Sequence, residues 1–371
     1  MVPLATAFVR AGHPVAWAAA PDVLPALDIS GVERFPVGMD TATSRRIYRQ
    51  RWPEVASLRG EALSAHTFPR LFGGVMAPAM LDNLVAAIDR WHPDLVINEA
   101  GALAAPLACR LRQVRHVTHA FGLRLPADHL AAAMRELAPS WERARLQAPE
   151  DGDLYRHLYL DIAPPTLQRA VADTEAVSSQ ALRPVAMGAP SRSPLPPDVV
   201  RALESARGPV IYLSFGTVFN RSETLRTAAA ALARLEALVV ITLGVDGELE
   251  RWGGLPPNVH VARYLDQNAL LPLCDAVVSH GGAGTLLGAA AHGLPQLVLP
   301  QAADQFRNAR ALVAAAAGAC VLPDECTADR IEHEARLLIR SSSRMAVVKR
   351  LAEEIAAMPS AERVVSALVR S

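Results

Sequence analysis

Short apolar segments alternate with amphipathic helical segments over most of this chain, and no other feature restricts its possible folds as strongly. One run contains helical sequence up to residue 90, a strand at 95–98, a helix at 102–111 and a strand at 116–119. A second run contains six apolar strands, each followed by helical sequence, at 210–214, 238–243, 259–262, 275–279, 296–299 and 319–322. Such alternation is typical of βαβ units that build a parallel sheet.

A segment rich in Pro, Ser and Gly at 188–197 (GAPSRSPLPP) separates the two runs and indicates a linker between domains. At about 150 residues per domain, a chain of 371 residues also suggests two domains, each large enough for its own core. We therefore predict two doubly wound α/β domains, and we expect 126–183 to be helical. The predicted boundaries are 1–187 for the first domain, 188–200 for the linker, 201–355 for the second domain and 356–371 for a C-terminal helix that could return to the first.

The composition argues against several other classes of protein. The 37 basic and 37 acidic residues give no net charge, so nucleic acid and anionic membranes are unexpected partners. No run of about 18 uncharged apolar residues occurs, so we expect no membrane span. The four cysteines lie in apolar contexts without a CxxC pair, which argues against a disulfide or zinc framework. The N-terminal residues lack a secretory pattern, and we expect a cytoplasmic protein.

The first residues do not match the usual start of a doubly wound domain. Residues 1–11 are predicted to form a helix that stops at Gly12, and 15–20 (VAWAAA) to form a strand. A doubly wound domain begins with a strand that lies centrally in its sheet, whereas here a helix comes first. We therefore expect Met1 to be an internal start, with the working protein beginning about 20 residues upstream.

The strongest local motif is VVSHGGAGT at 277–285. An apolar strand ends at Ser279, and the small residues of the motif lead directly into a helix predicted at 286–291. Small residues let the backbone approach an anion closely, and N–H groups at a helix N-terminus point toward it; His280 and Thr285 can each donate a side-chain hydrogen bond. The motif is neither GxGxxG nor a P-loop, so it predicts diphosphate binding of another kind. The alternative is a tight turn whose glycines serve packing.

Other polar residues also follow predicted strands. LPQAADQ leaves a strand and places Asp304 and Gln305 where open α/β sheets bind ligands, and a carboxylate beside an amide suits a polyhydroxylated ligand. Ser214 and Thr217 follow the first strand of the second domain, and Tyr264 could stack on a base. The structural alternatives are a helix N-cap for Asp304 and a core position for Tyr264.

In their order along the chain, these segments resemble a known family. PDLVINE, YLDIAPPTLQ, the strand and loop at 210–217, SHGGAGT, PQAADQ and AMP are similar to the GT-B-fold glycosyltransferases that decorate natural products. The likeness covers nearly the whole chain and is greatest to bacterial enzymes acting on macrolide, aromatic polyketide and enediyne aglycones. It implies two Rossmann-like domains facing a central cleft, and a role in antibiotic biosynthesis and secondary metabolism of an actinobacterial type.

The resemblance implies one binding site for a nucleotide sugar. The diphosphate would lie at the glycine-rich turn and the sugar hydroxyls at Asp304 and Gln305. The nucleobase would lie at Tyr264, which follows the third strand of the second domain. The residues implied are Ser214, Thr217, Tyr264, Leu265, His280, Gly282, Ala283, Gly284, Thr285, Asp304 and Gln305. Since the helix terminus and the histidine would replace a divalent cation, the resemblance implies no metal and no other cofactor.

One departure from the family bears on the donor nucleotide. Plant relatives carry a Glu three residues after the position of Thr285, where it binds the ribose hydroxyls, and this chain has Gly288 there. A thymidine nucleotide lacks the 2′-hydroxyl, so the resemblance favours a TDP-deoxysugar, with a UDP-sugar as the alternative donor.

A second departure concerns the catalytic base. In inverting relatives a His near the N-terminus deprotonates the acceptor hydroxyl, which attacks the anomeric carbon as the nucleoside diphosphate leaves. Glu99 matches the carboxylate that orients this His, although alone it would read as a solvated rim residue. The strand and Gly-His loop that precede the first helix in the family are absent, and His13 lies at the wrong end of that helix. The printed chain is therefore expected to transfer sugar weakly or not at all.

The leading hypothesis is an inverting transferase that moves a deoxysugar from a TDP-sugar to a hydroxyl of a natural-product aglycone. Loops around Phe68, Phe72 and 121–125 and a helix at 128–146 would form the aglycone pocket. One alternative is a UDP-hexose-dependent transferase acting on a lipid, sterol or phenolic acceptor. Another, if the chain truly starts at Met1, is a non-catalytic nucleotide-sugar-binding or auxiliary protein. The aglycone, the sugar and the oligomeric state stay open.

Overall fold

The structure, a computed structural model, describes residues 1–150, 152–171, 178–184, 194–216, 222–244 and 247–370, the side chain of Arg251 excepted. The chain divides into two compact units. Unit 1 contains Met1–Ile162, Ala172–Arg183 and Pro359–Ser371, and unit 2 contains Ala163–Val171 and Pro184–Met358. Ala163–Val171 therefore belongs to unit 2 rather than to the first domain, where we expected it. Residues 197–200 of the expected linker are helical, because Pro197 begins a nine-residue helix of unit 2.

Helices account for much of both units. The described α-helices are α1 (Val2–Arg10), α2 (Thr41–Arg51), α3 (Gly60–Thr67), α4 (Ala77–Trp91), α5 (Ala105–Arg112), α6 (Ala127–Arg143), α7 (Pro165–Arg169), α8 (Pro197–Ser205), α9 (Glu223–Leu232), α10 (Gln267–Leu270), α11 (Ala283–Ala291), α12 (Gln305–Ala314), α13 (Ala328–Arg340), α14 (Ser342–Ala357) and α15 (Ala361–Arg370). Short 3-10 helices lie at Leu24–Ala26, Pro53–Ser57, Leu249–Trp252, Leu271–Leu273 and Pro323–Glu325. As predicted, Gly12 (φ 85°) follows the end of α1. The Thr327 hydroxyl caps α13 by accepting from Arg330 N–H.

A continuous helical run, Gly60–Trp91, joins α3 and α4 through a π-helix at Phe68–Met76. By length and composition alone it could cross a membrane, although Arg70 and Asp82 leave it without the uncharged apolar run of about 18 residues that we took as the sign of a span. Its most apolar 18-residue window is 44% buried inside the structure. Leu81, Leu84 and Ile88 of the run pack in the main core of unit 1. A core helix of this kind passes the same test as a membrane span.

The sheet of unit 2 explains where its ligand site can form. The strands of the chain are β1 (Val15–Ala19), β2 (Val32–Pro36), β3 (Leu95–Glu99), β4 (Arg115–His119), β5 (Tyr159–Asp161), β6 (Ser179–Ala181), β7 (Val210–Ser214), β8 (Leu238–Thr242), β9 (Val259–Ala262), β10 (Ala276–Ser279), β11 (Gln296–Val298) and β12 (Gly318–Cys320). In unit 2 the order is β12-β11-β10-β7-β8-β9, with parallel pairing throughout. The chain runs outward from β7 to β9 and then crosses back to β10. Neighbouring β7 and β10 therefore form the topological switch point where doubly wound sheets bind ligands.

The described strands of unit 1 form two separate parallel sheets, β1-β2 and β3-β4-β5-β6. The region 126–183 is not uniformly helical as we predicted, because β5, α7 and β6 follow α6. Three-residue strands such as Tyr159–Asp161 are too short for a period of two to be recognised in the sequence.

The central strands of unit 2 are buried along their full length, as expected for a sheet covered on both faces. Successive residues of β7 face opposite sides: Ile211 and Leu213 join one apolar cluster, and Val210 and Tyr212 join the other. This covered core fixes β7 and β10, so the loops at their carboxyl ends begin from rigid positions.

Candidate functional site

The glycine-rich turn lies at the switch point of unit 2. Ser279, the last residue of β10, pairs in register with Ser214, the last residue of β7. The loops that follow these residues therefore leave the same edge of the sheet side by side. The predicted anion-binding turn and the predicted Ser214 loop are adjacent because of the strand order, although 65 residues separate their starting strands in the register Ile211–Ala276.

The backbone of this turn requires glycine for a packing reason. Gly281 has a φ of 86°, and a Cβ there would lie 2.5 Å from Val298 Cγ1. Gly282 is the N-cap of α11, and the first hydrogen bond of the helix runs from Leu286 N–H to Gly282 O at 3.0 Å. The N–H groups of the residues between them precede that bond and carry the partial positive charge of the helix N-terminus. Packing explains Gly281, whereas the open first turn of α11 is suited to an anion.

The ring of His280 is held between the two loops. A Cβ at Gly282 would lie 2.7 Å from His280 Nε2, and a Cβ at Gly216 would lie 3.2 Å from its Cε1. Burial lowers the pKa of His280 to about 4, against an opposing hydrogen bond with the Ser214 backbone. The imidazole is therefore neutral at pH 7 and carries one N–H. This one N–H can donate either to the Ser214 backbone or to a phosphoryl oxygen, in both cases without contributing a charge.

A network of hydrogen bonds, which we call the relay, joins Ser214 to Thr285. Thr242 Oγ1 donates to Ser214 Oγ at 3.0 Å and lies 2.7 Å from the hydroxyl of Tyr212. Gln267 Nε2 donates to Tyr212 Oη and to Thr285 Oγ1, both at 3.2 Å. Gln267 is half-buried and the other four side chains are buried. The Thr285 hydroxyl, predicted to contact the diphosphate, and the Ser214 hydroxyl, predicted to line the same site, are therefore the two ends of one network.

The predicted sugar-binding pair is tied to the same turn through Asn308. Asn308 Nδ2 donates to Gly281 O at 2.8 Å and to Asp304 Oδ2 at 2.9 Å. Burial raises the pKa of Asp304, and the bond from Asn308 acts in the opposite direction. Gln305 Oε1 accepts from the N–H groups of Gln301 and Ala302 at 2.7 and 3.0 Å. Only the amide nitrogen of Gln305 is left to face a sugar.

The remaining predicted donor residues have different positions. Tyr264 is 61% exposed, which excludes the core alternative and leaves its ring open to a base. Leu265, the next residue, is buried in the apolar cluster that also contains Tyr212 and Val277. Asp304 occupies the N-cap position of α12, but its side chain makes no cap hydrogen bond, so the alternative of a capping aspartate is wrong. Thr217 lies outside the described residues.

Glu99 ends β3 in unit 1. Gly101 N–H donates to its Oε1 at 3.1 Å, and burial raises the pKa of the carboxyl against this bond and against the charge of the Met1 amino group. A Cβ at Gly101 would lie 3.2 Å from Glu99 Oε2 and 3.5 Å from Phe72. Glu99 is therefore not the fully solvated rim residue of the structural alternative. His119, its register partner on β4, is buried, and burial lowers the pKa of this imidazole to about 4.

Aromatic rings lie beside Glu99. Phe68 stacks on Phe72 (centroids 5.3 Å apart, planes at 26°) and on His129 (6.4 Å, 22°). All three rings are half-buried. Phe68 and Phe72 belong to the π-helix, a conformation that is rare and frequently found at functional sites. Among the residues that the structure describes, no group of three or more His, Cys, Asp or Glu side chains could hold a metal ion.

Sequence reasoning missed the interior of the relay, Tyr212, Thr242 and Gln267, as well as Asn308. The only available signal was a polar side chain within apolar strands such as VIYLS and LVVIT. A buried polar group requires a partner, but the sequence does not identify that partner.

The chain is also similar to known proteins over its whole length. The chain matches the family model of the erythromycin biosynthesis protein CIII-like N-terminal domain over residues 6–189 and that of the C-terminal domain over residues 226–370. It is 32% identical over 365 residues to the L-demethylnoviosyl transferase of Streptomyces niveus, covering 97% of this chain and 91% of that protein. It is similar to the crystal structure of glycosyltransferase VinC in complex with dTDP (28% identity, TM-score 0.77, 100% and 95% of the two chains). It is also similar to SsfS6 of Streptomyces sp. SF2575 complexed with thymidine diphosphate (26%, 0.77, 100% and 95%).

Proposed function

Because the chain belongs to the erythromycin biosynthesis protein CIII-like family of natural-product glycosyltransferases, we propose that it transfers a deoxysugar from a TDP-sugar to a hydroxyl of a natural-product aglycone, with inversion at the anomeric carbon. The chain has the GT-B fold and is a glycosyltransferase. The donor, the stereochemistry and the acceptor are the proposed part.

The observation that carries the proposal is the position of neutral His280 at the first turn of α11. Transfer leaves a nucleoside diphosphate carrying negative charge, and a pre-positioned set of N–H and O–H donors stabilises that charge as it develops. The set consists of His280, the first turn of α11, Ser214 and Thr285. These donors act without a divalent cation, so we expect transfer to persist in excess EDTA.

We propose TDP rather than UDP as the nucleotide. Gly288 is buried within α11 and offers no side chain to a ribose 2′-hydroxyl. A buried hydroxyl without a partner costs about 1–3 kcal/mol, so UDP is expected to bind roughly 5- to 100-fold more weakly. Two similar structures contain this diphosphate.

Calorimetric titration with TDP, UDP and dUDP tests this choice, because dUDP lacks both the 2′-hydroxyl and the thymine methyl. TDP and dUDP should bind alike and UDP more weakly. Equal affinities of UDP and dUDP would refute the 2′-hydroxyl argument, and tighter binding of UDP would favour a UDP-sugar donor.

In unit 1 we propose that Glu99 orients the base that deprotonates the acceptor, and that Phe68, Phe72 and His129 form the acceptor-binding face. The hydrogen bond from Gly101 N–H holds the Glu99 carboxyl in position beside this face and opposes the rise in its pKa that burial causes. General-base catalysis contributes about 10²- to 10⁴-fold to a rate. Measured on a protein that carries the histidine expected upstream of Met1 as this base, Glu99→Gln should therefore lower kcat by about 100-fold or more.

The matched control for Glu99→Gln is Glu33→Gln, since Glu33 is an exposed carboxylate of the same unit. TDP affinity should be unchanged in both variants, because the donor residues belong to unit 2. A Glu99→Gln variant with wild-type kcat would remove this residue from the mechanism.

We also propose a cytoplasmic protein whose ligands are the nucleotide sugar and a small-molecule aglycone, with no nucleic acid among them. The absence of net charge supports the last point. Fractionation of the producing cells, with activity measured in each fraction, tests the location.

A further inference from the structure

The relay connects these residues, and it also determines which group donates and which accepts in each hydrogen bond. A hydroxyl has one proton to donate and can accept two hydrogen bonds, whereas the nitrogen of an amide side chain has two protons and accepts none. In the relay, Gln267 Nε2 donates both of its protons, one to Tyr212 and one to Thr285. The orientation of this single amide therefore restricts the direction of every other bond.

On one branch, Tyr212 accepts from Gln267, so its own proton goes to Thr242 Oγ1, 2.7 Å away. Thr242 in turn donates to Ser214 Oγ, which also accepts from Gly216 N–H at 3.4 Å. The Ser214 oxygen thus accepts twice, and its proton is left to donate. Within the described part of the chain, no protein acceptor receives this proton.

On the other branch, Thr285 Oγ1 accepts directly from Gln267. Its proton must also point away from the amide, and the described residues again provide no acceptor. The two hydroxyls border the turn that contains His280. They therefore present two O–H donors in the region where we place the diphosphate.

From these bonds we infer that Gln267 is the positioning residue that makes Ser214 and Thr285 hydrogen-bond donors to the diphosphate, although it reaches Ser214 only through Tyr212 and Thr242. This inference rests on the proposed function, because it assumes an anion at the turn. The opposite orientation of the amide would place Oε1 at both contacts. Ser214 and Thr285 would then each donate to a neighbouring side chain of the protein, and neither hydroxyl would have a proton left to donate to an anion.

Two substitutions separate these orientations. Gln267→Glu places acceptor oxygens at both contacts and so imposes the reversed direction, while Gln267→Met keeps the length and removes the polar group without adding charge. The probes are TDP, inorganic pyrophosphate and uncharged thymidine, with affinities from calorimetry and, for thymidine, from competition. Hydrogen bonds to charged groups contribute about 1.5–3 kcal/mol. Gln267→Glu should therefore reduce the affinities for TDP and pyrophosphate at least 10-fold, and Gln267→Met should reduce them by a smaller factor. Thymidine should bind within threefold of wild type.

The branch through Tyr212 gives a second measurement. Tyr212→Phe and Thr242→Val each interrupt the path to Ser214 while leaving the bond from Gln267 to Thr285. Each substitution should reduce the affinity for pyrophosphate less than Gln267→Glu does. The double variant should bind pyrophosphate as tightly as the weaker-binding of the two single variants, because both substitutions interrupt the same path. Additive losses would overturn the relay.

The remaining outcomes are also decisive. Wild-type pyrophosphate affinity in Gln267→Glu would mean that the amide oxygen faces the hydroxyls, which overturns the inference. A loss of thymidine binding equal to that of TDP would make Gln267 a nucleoside contact or a folding residue instead. If the wild-type protein binds pyrophosphate but not TDP, the proposed donor fails while the relay is still tested on pyrophosphate. If it binds neither, both proposals fail.

Discussion

Adding one methyl group at Gly282 should disable His280 without altering the backbone. Gly282 has φ −61° and ψ 140°, values that alanine adopts without strain. Its Cβ would lie 2.7 Å from His280 Nε2, where 3.4 Å is the lower limit of ordinary contact, so the ring must move by about 0.7 Å. A hydrogen bond to a charged partner contributes about 1.5–3 kcal/mol. Gly282→Ala is therefore expected to weaken TDP binding about 10- to 100-fold.

The matched control is Gly253→Ala, because Gly253 has nearly the same backbone conformation (φ −70°, ψ 155°) and no atom within 4 Å of an added Cβ. Calorimetry with TDP should show wild-type affinity for this control. In a His280→Ala background, Gly282→Ala should reduce TDP affinity little further, because the imidazole that it displaces is already absent. Unchanged TDP affinity in a folded Gly282→Ala protein would refute the role of His280, and an equal loss in the control would indicate a general effect of the substitution.

Three further predictions follow from other contacts. Asn308→Ala removes two buried hydrogen bonds, to Gly281 O and Asp304 Oδ2, and should lower the unfolding free energy of unit 2 by about 2 kcal/mol in a denaturant titration. In calorimetry, it should reduce the affinity for a TDP-sugar more than the affinity for TDP. Burial holds the pKa of His119 at about 4, below the ordinary 6.5, so its protonation favours unfolding; unit 1 should lose up to about 3 kcal/mol of unfolding free energy between pH 6.5 and 4, and His119→Gln should lose less over that interval. Phe72→Leu keeps an apolar side chain but removes ring stacking worth about 0.5–1.5 kcal/mol, so kcat/KM for the acceptor should fall roughly 2- to 12-fold while the Kd for TDP is unchanged; an equal change in TDP affinity would contradict an acceptor role.

The local elements of the fold could be predicted because their signals are contained within a few residues. The six strands of unit 2 lie within one or two residues of their predicted positions, since each is a short apolar run bounded by turn residues. Gly12 ends helix α1 as expected, because a helix cap depends on one residue and its immediate neighbours. Helix α11 begins at Ala283, three residues before the prediction, because the small residues of the turn already adopt helical geometry.

The candidate site was predictable only in part. The HGGAGT turn was identified because a strand, small residues and a helix follow one another without interruption. The relay was not, because Tyr212 and Gln267 are 55 residues apart and meet only through packing. The link from Asn308 to Gly281 spans 27 residues and was missed for the same reason.

The sequence by itself determined the class of the two units, the positions of most strands in unit 2 and the turn that follows β10, because hydrophobic period and turn chemistry are local properties. Only the tertiary structure decided that β10 lies beside β7, that Ala163–Val171 belongs to unit 2 and that α15 packs with α1 in unit 1. These pairings join segments distant in the chain, and their free energy comes from burying surfaces against each other rather than from any single segment. The direction of the bonds within the relay depends on the same packing, because the half-buried amide of Gln267 takes its orientation from the buried hydroxyls that the fold brings to it.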